Sequence, residues 1–168
     1  EMVKVVVADT ITIVKTEDIN ELEPLQEKGL QIKKLTDQIT EYLASLFSAG
    51  TMTEQQAAQT ASLMYILSDV ERMGTLSVEV AKCVQEKIEN RYKYTPEAME
   101  ELQKSLKTLE KMFTDSIKAL QGDKSVQTEK LIKRKDKIMD LDLKMRKAHV
   151  QRVNKGKCKA SLTAPFTN

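Results

Sequence analysis

The chain has 168 residues, 40% of them hydrophobic and 31% charged, with a net charge of +2, which is enough material for a domain with a core of its own. Aromatic residues make up only 4% and Trp is absent, so Leu, Ile, Val, Met and Ala must supply the buried surface, as in a helical bundle. No apolar run exceeds five residues, Val5-Val6-Val7-Ala8 and Leu63-Met64-Tyr65-Ile66-Leu67 being the longest, far short of the roughly 18 residues that mark a membrane span, and no N-terminal segment has signal-peptide anatomy; the expectation is a soluble, all-α chain.

VKVVVADTITIV, near the N-terminus, is rich in β-branched residues, which favour strands. No second strand candidate exists to pair with it, so a helix is expected, with a break around Asn20 to Pro24, where Pro24 has no amide proton. From Leu25 the apolar positions Ile32, Leu35, Ile39, Tyr42, Leu43 and Leu46 recur at three and four, predicting a helix with one buried face for about six turns that ends at Ser48-Ala49-Gly50. Thr53-Glu54-Gln55-Gln56 fits a capping box, with Ala57, Ala61, Met64, Leu67 and Val70 on one face of the helix it opens.

Thr95-Pro96-Glu97 supplies a capping hydroxyl, a preset φ and an acid at the positive end of the next helix. That helix carries Ala98, Leu102, Leu106, Leu109, Met112, Phe113, Ile117 and Leu120 and is closed by Gly122. A last helix is expected from Ser125, carrying Leu131, Ile138, Leu141, Met145, Ala148 and Val153 and stopping near Asn154 to Gly156. Short connections make these the helices of an antiparallel bundle. The two halves repeat one layout at low identity, a weak internal repeat.

Residues 118 to 159 hold 14 Lys or Arg against 5 Asp or Glu, and the remainder 13 against 20. Such a stripe can suit nucleic acid or an anionic surface, but a solvated face balanced by the acidic remainder is the favoured reading and no nucleic-acid partner is expected. The five glycines are isolated and form no phosphate loop. A lone histidine, His149, cannot build a His-based zinc site or a conventional triad, and no ExxH pattern contains it. Cys83 and Cys158 lack ligand spacing and read as reduced thiols. No enzyme is expected, nor a small-molecule substrate.

The remaining chemistry lies in carboxylates. Asp136 and Asp140 project from one side of a helix at i and i+4, where like charges repel unless a hard cation bridges them. Two ligands do not close a coordination shell, and Lys133, Lys137 and Lys144 can neutralise both acids on a solvated face. Asp69, Glu71 and Arg72 meanwhile interrupt an apolar seam beside Gly74.

ILSDVERMGTLSVEVAK, residues 66–82, resembles the dLERIGDxAxxIA signature of PhoU-like domains, and Asp136-Lys137-Ile138-Met139-Asp140 is similar to the acid-x-x-x-acid motif of the second repeat. RKAHVQRVNKGKC, residues 146–158, resembles the RxxHixRLxxGxC segment of the PhoU-like tails of bacterial sodium-phosphate cotransporters. The resemblance implies an antiparallel bundle of two three-helix repeats, residues 1–92 and 93–168, the second stopping before its last helix at SLTAPFTN. It implies metal ligands at Glu71, Asp136 and Asp140, for divalent or trivalent ions such as iron, zinc or magnesium, held weakly or not at all by this chain. Two departures stand out. Thr75 replaces the acid of ERIGD, and Gly29 and Lys33 fall where the preceding helix should carry two more. Lys33 is therefore expected to pair with Glu71 in the cation's place, Asp69 with Arg72 as an exposed ion pair, and Gly74 to allow close approach of a neighbouring helix.

By that resemblance the chain is the regulatory domain of a sodium-dependent phosphate transporter, on the cytoplasmic side of the bacterial inner membrane. Its partner would be the transporter's membrane domain, and an uncovered apolar strip would favour a homo-oligomer. A free-standing PhoU-type adaptor of a phosphate ABC transporter and its sensor kinase, or a generic helical scaffold, are the alternatives.

Overall fold

The structure, a computed structural model, describes residues 1–163 and 166. Among the described residues five long helices follow in order, α1 (Met2–Thr16), α2 (Leu22–Ser48), α3 (Glu54–Glu89), α4 (Pro96–Leu120) and α5 (Thr128–Asn154), with single 3₁₀ turns at Ile19–Glu21 and Ala160–Leu162. There is no strand among the described residues. The chain divides into two compact units, Glu1–Gln85 and Glu86–Asn168.

The N-terminal segment is the helix expected, despite its β-branched content. Thr10, Thr12 and Thr16 each donate a hydroxyl to the carbonyl four residues earlier, at 2.7, 3.0 and 3.0 Å, so these side chains satisfy themselves within the helix. Val3, Val6, Ile11 and Ile13 are buried, and each fully buried aliphatic side chain contributes about 1.5–3 kcal/mol, which outweighs their modest helix propensity. Glu17 ends α1 in the left-handed region at φ 55°, its N–H bonded to Ile13 O at 2.8 Å. The expected break follows. Asp18 accepts from the Asn20 N–H, and Pro24 enters in the first turn of α2, where no intrahelical amide bond is lost.

α2 buries Leu22, Leu25, Gly29, Ile32, Thr36 and Leu43. Leu35, Ile39 and Tyr42, expected on the buried face, are exposed. Helix length explains the difference: α1, with 15 residues, is about 22 Å long and α2, with 27, about 40 Å. The ion pair Lys28–Asp9, at 2.7 Å, fixes α1 against the first half of α2. Beyond that reach only the narrow seam towards α3 is covered. The α3 capping box is formed as expected, with Thr53 N donating to Gln56 Oε1 at 2.9 Å and Gln56 N to Thr53 Oγ1 at 3.3 Å.

α2 and α3 meet through small residues, since α3 buries Thr60, Gly74, Ser77 and Ala81 besides Val84. A Cβ at Gly29 would lie 2.5 Å from Val78 Cγ2 and 3.4 Å from Gly74 O, and one at Gly74 would lie 3.2 Å from Ile32 Cγ2. The close approach expected at Gly74 is therefore present, and Gly29 is its other half. Contacts run Gly29 to Val78, Ile32 to Gly74 and Lys33 to Glu71, so the two helices are antiparallel.

In the second unit Thr95 caps α4, accepting from Ala98 N at 3.3 Å, with Pro96 in the first turn. Gly122, at φ 82°, closes it: Gly122 N bonds Ala119 O and Asp123 N bonds Lys118 O, each at 3.0 Å, a Schellman motif. α5 starts at Thr128, later than Ser125, because Asp123 Oδ1 accepts from Ser125 N and Asp123 O from Val126 N, holding a turn that competes with the helix. Asp115 pairs with Arg134, Ser105 with Met145 and Glu101 with Arg152, so α4 and α5 are antiparallel. Most of their apolar seam is half-buried, while Leu109 and Leu120, expected on the same face, are exposed; among the described residues of this unit full burial is reached only by Ala98, His149, Arg152 and Leu162, where the chain after α5 folds back. The expectation of a missing last helix falls mainly on residues 164, 165, 167 and 168, which lie outside the described residues.

Gly29→Ala tests the close contact. Ala gains about 1 kcal/mol of helix propensity, but its methyl must displace Val78, a β-branched residue with one strongly preferred helical rotamer, at about 1–3 kcal/mol. The expected net loss is about 1 kcal/mol in chemical denaturation, and Gly29→Ala with Val78→Ala is expected to lose less than the two single changes added together.

Candidate functional site

The first sequence-predicted ligand, Glu71, lies on α3 one turn before Thr75, whose hydroxyl donates to Glu71 O at 3.2 Å. Lys33 Nζ stands 2.9 Å from Glu71 Oε1 and 3.7 Å from Asp37 Oδ2. The expected Lys33–Glu71 pair is thus formed, with Asp37 as a second acid. The Lys33 ammonium is held protonated above its ordinary range, first by the hydrogen bond to Glu71 and then by the charges of Asp37 and Glu71. A carboxylate already engaged by an ammonium, with Gly29 and Thr75 standing where the signature carries acids, does not fit a clustered metal site, which needs several converging oxygen ligands. Asp69 and Arg72 are both exposed and form no ion pair with each other among the described residues, contrary to the expectation. Pairs of this kind on a solvated surface gain little.

Asp136 and Asp140 are exposed on α5. Asp140 Oδ2 is 2.6 Å from Lys144 Nζ, the neutralisation expected from helix spacing. Glu71 belongs to one compact unit and this pair to the other. No group of three or more His, Cys, Asp or Glu converges among the described residues. As placed, none of the three predicted ligands stands in a set that closes a coordination shell.

The best-built polar cluster comes from RKAHVQRVNKGKC instead. Arg152 donates two parallel bonds to Glu101, Nη1 to Oε1 and Nη2 to Oε2, both at 2.9 Å, a bidentate pair joining α5 to α4. Its Nε is buried with no hydrogen-bond partner among the described residues. His149, one turn earlier, is only 1% exposed. Its Nε2 lies 3.1 Å from Thr163 Oγ1 and its ring stacks on Phe166 at 4.9 Å. The Phe166 ring also meets the Tyr94 ring edge-on at 5.2 Å and lies below the Arg152 guanidinium, 5.8 Å away. Gly156, at φ 66°, provides the turn: Gly156 N bonds Val153 O and Lys157 N bonds Arg152 O, each at 2.9 Å. The His, Arg and Gly of the segment therefore fasten Thr163 and Phe166 onto α4 and α5. Sequence spacing singled them out, but their partners Glu101, Tyr94, Thr163 and Phe166 were not foreseen, since they come from three other stretches.

Burial pushes the His149 pKa down, and the neighbouring Arg152 charge lowers it further against an opposing effect of Glu101. The folded protein thus binds this proton less readily than the unfolded chain. Stability from this group is complete above the ordinary value of about 6.5 and declines as pH falls below it, because protonation then favours unfolding. The thermal midpoint is expected to drop between about pH 7.5 and 5.5, and His149→Gln to flatten that slope in calorimetric scans while lowering the midpoint at neutral pH. A second expectation concerns Glu71. Lys33→Asp combined with Thr75→Asp adds two carboxylates to Asp37 and Glu71 on facing turns of α2 and α3, and manganese titration calorimetry should give a binding isotherm for this variant that the parent chain lacks.

The sequence model described as the PhoU domain matches residues 1–84, the stretch that forms α1, α2 and nearly all of α3. No curated protein and no solved structure matches the chain. The matched stretch coincides with the first compact unit and contains the α2–α3 contact at Gly29 and Gly74. An all-helical chain matched over half its length in this way belongs to the PhoU family, a family of regulatory, non-catalytic domains of phosphate homeostasis.

Proposed function

We propose that this chain is a non-catalytic regulatory domain of a sodium-dependent phosphate transporter, acting on the cytoplasmic side of the bacterial inner membrane through the membrane part of its parent protein. Family membership over residues 1–84 carries the regulatory part of this reading. The transporter part rests on Arg146, His149, Arg152, Gly156 and Cys158, which keep the spacing of the segment found in cotransporter tails. No helix among the described residues is long and apolar enough to cross a membrane, so in this reading transport itself belongs to other parts of the parent.

Such a domain regulates by contacting two transporter conformations unequally, since a partner shifts an equilibrium only by its differential affinity for the two states. The half-buried seam of α4 and α5 is the surface offered, either to the membrane domain or to a second copy of the chain. Residues 1–92 and 93–168 serve as the two repeats. Metal contributes appreciably only when a further acidic helix supplies partners to Asp136 and Asp140.

Sodium-driven uptake of radiolabelled phosphate, measured in cells bearing the native reading frame, tests the reading. Removing the codens for these residues is expected to leave uptake active and abolish its decline at high external phosphate. Unchanged regulation would overturn the proposal, and a native reading frame without stretches of about 20 apolar residues would move the function to the free-standing adaptor.

A further inference from the structure

The second unit contains a cleft of about 420 Å³ between the turn that joins α3 to α4 and the segment that follows α5. Its walls carry Arg91, Lys93, Lys157 and Lys159, with the hydroxyl residues Thr95 and Ser161. Leu162, which is buried, and Tyr92 provide apolar wall. No carboxylate lines it among the described residues. The four basic residues are exposed, and none makes an ion pair among the described residues. Glu97, in the first turn of α4, feels the charge of one of them, Lys157. Its carboxyl is held below its usual range mainly by its own backbone N–H and Thr95, with Lys157 and Arg152 adding smaller attractions.

Two backbone devices place these cations. Arg91 adopts φ 53°, a left-handed conformation that a side chain adopts at a cost, and closes α3 in a Schellman motif in which Arg91 N bonds Ile88 O at 3.0 Å and Tyr92 N bonds Lys87 O at 2.9 Å. Glycine is the usual residue there. At the other wall, the Gly156 turn delivers Lys157 and Lys159 alongside it. Two segments more than sixty residues apart in sequence thus bring four like charges to one concavity, an arrangement that repels itself unless an anion is bound.

We propose that this cleft binds a multiply charged phosphate compound, an organic or inorganic polyphosphate of about nucleotide size. The volume falls in the range of about 300–1,000 Å³ typical of small-molecule sites and exceeds what one orthophosphate fills. Four cations match three or four negative charges, Arg91 offering a planar fork for phosphate oxygens and the lysines point charges. Leu162 and Tyr92 give an organic moiety an apolar surface. The inference stands on the composition of the cleft and is independent of the transporter reading.

Calorimetric titration of the full chain with ATP, with tripolyphosphate and with orthophosphate, at about 0.15 M salt, tests it. ATP and tripolyphosphate are expected to bind with one-to-one stoichiometry and orthophosphate at least about tenfold more weakly; ATP binding tighter than tripolyphosphate identifies an organic ligand, and the reverse an inorganic chain, both within the proposal. Arg91→Gly removes one cation while keeping a residue suited to the turn, and it and Lys157→Ala with Lys159→Ala are each expected to weaken binding about tenfold or more, about 1.4 kcal/mol. Lys104→Ala with Lys107→Ala, which alters exposed α4 lysines outside the cleft, should leave binding unchanged. Circular dichroism checks that every variant is folded. The absence of binding by both polyphosphates, equal losses in the α4 control, or binding of an arbitrary oligonucleotide more tightly than ATP would overturn the proposal.

Discussion

The approach of α2 to α3 at Gly29 and Gly74 is the constraint on which the first unit depends. With no Cβ on either side, Ile32 seats against Gly74 and Val78 fills the space over Gly29. That contact fixes the register of the two longest helices of the unit and brings Lys33 onto Glu71. A glycine inside a helix costs about 1 kcal/mol of propensity relative to alanine, and the close packing offsets that loss through dispersion contacts that a wider spacing would forfeit. The position where a ligand acid would be sought is occupied by packing instead.

The same geometry explains why Glu71 stays in place without a cation. An ammonium tethered to α2 supplies the positive charge that the remaining acids need, and it does so with one ligand interaction where a metal would demand several. Thr75 turns its hydroxyl back to the helix carbonyl, which removes it from any ligand set. The acids of the second unit stay on a solvated face. Asp140 is countered by Lys144 at helical spacing, and Asp136 and Asp140 are not gathered with other ligands by tertiary structure among the described residues.

The second unit depends on a different kind of contact. Its two helices leave their seam half-buried, and the packing is completed at one end, where Arg152 grips Glu101 and His149 is covered by Phe166 and Thr163. Burying an arginine and a histidine together is tolerable only because the guanidinium meets a carboxylate in fork geometry and the imidazole stays neutral. The turn at Gly156 makes both possible, since it sends the chain back across the end of α5. One consequence of that return is the cationic cleft, whose walls are the two connections on either side of this cluster.

The sequence by itself determined the helices, their caps and the family. Thr53-Glu54-Gln55-Gln56, Thr95-Pro96, Gly122 and Gly156 act through backbone groups a few residues away, so their meaning is local and can be read without a fold. It also determined that Lys33 would meet Glu71, because the family signature aligned α2 with α3. Tertiary structure alone decided that Leu35, Ile39 and Tyr42 lie exposed, since periodicity marks an apolar stripe but not the length of the neighbour that covers it. It alone decided that Gly29 is a contact with Val78, that Asp69 and Arg72 stay apart, and that Arg91 and Lys93 share a cleft with Lys157 and Lys159. Apart from the local Asp69 and Arg72, each of those facts depends on the distance between segments remote in sequence, and helical spacing carries no information about that distance.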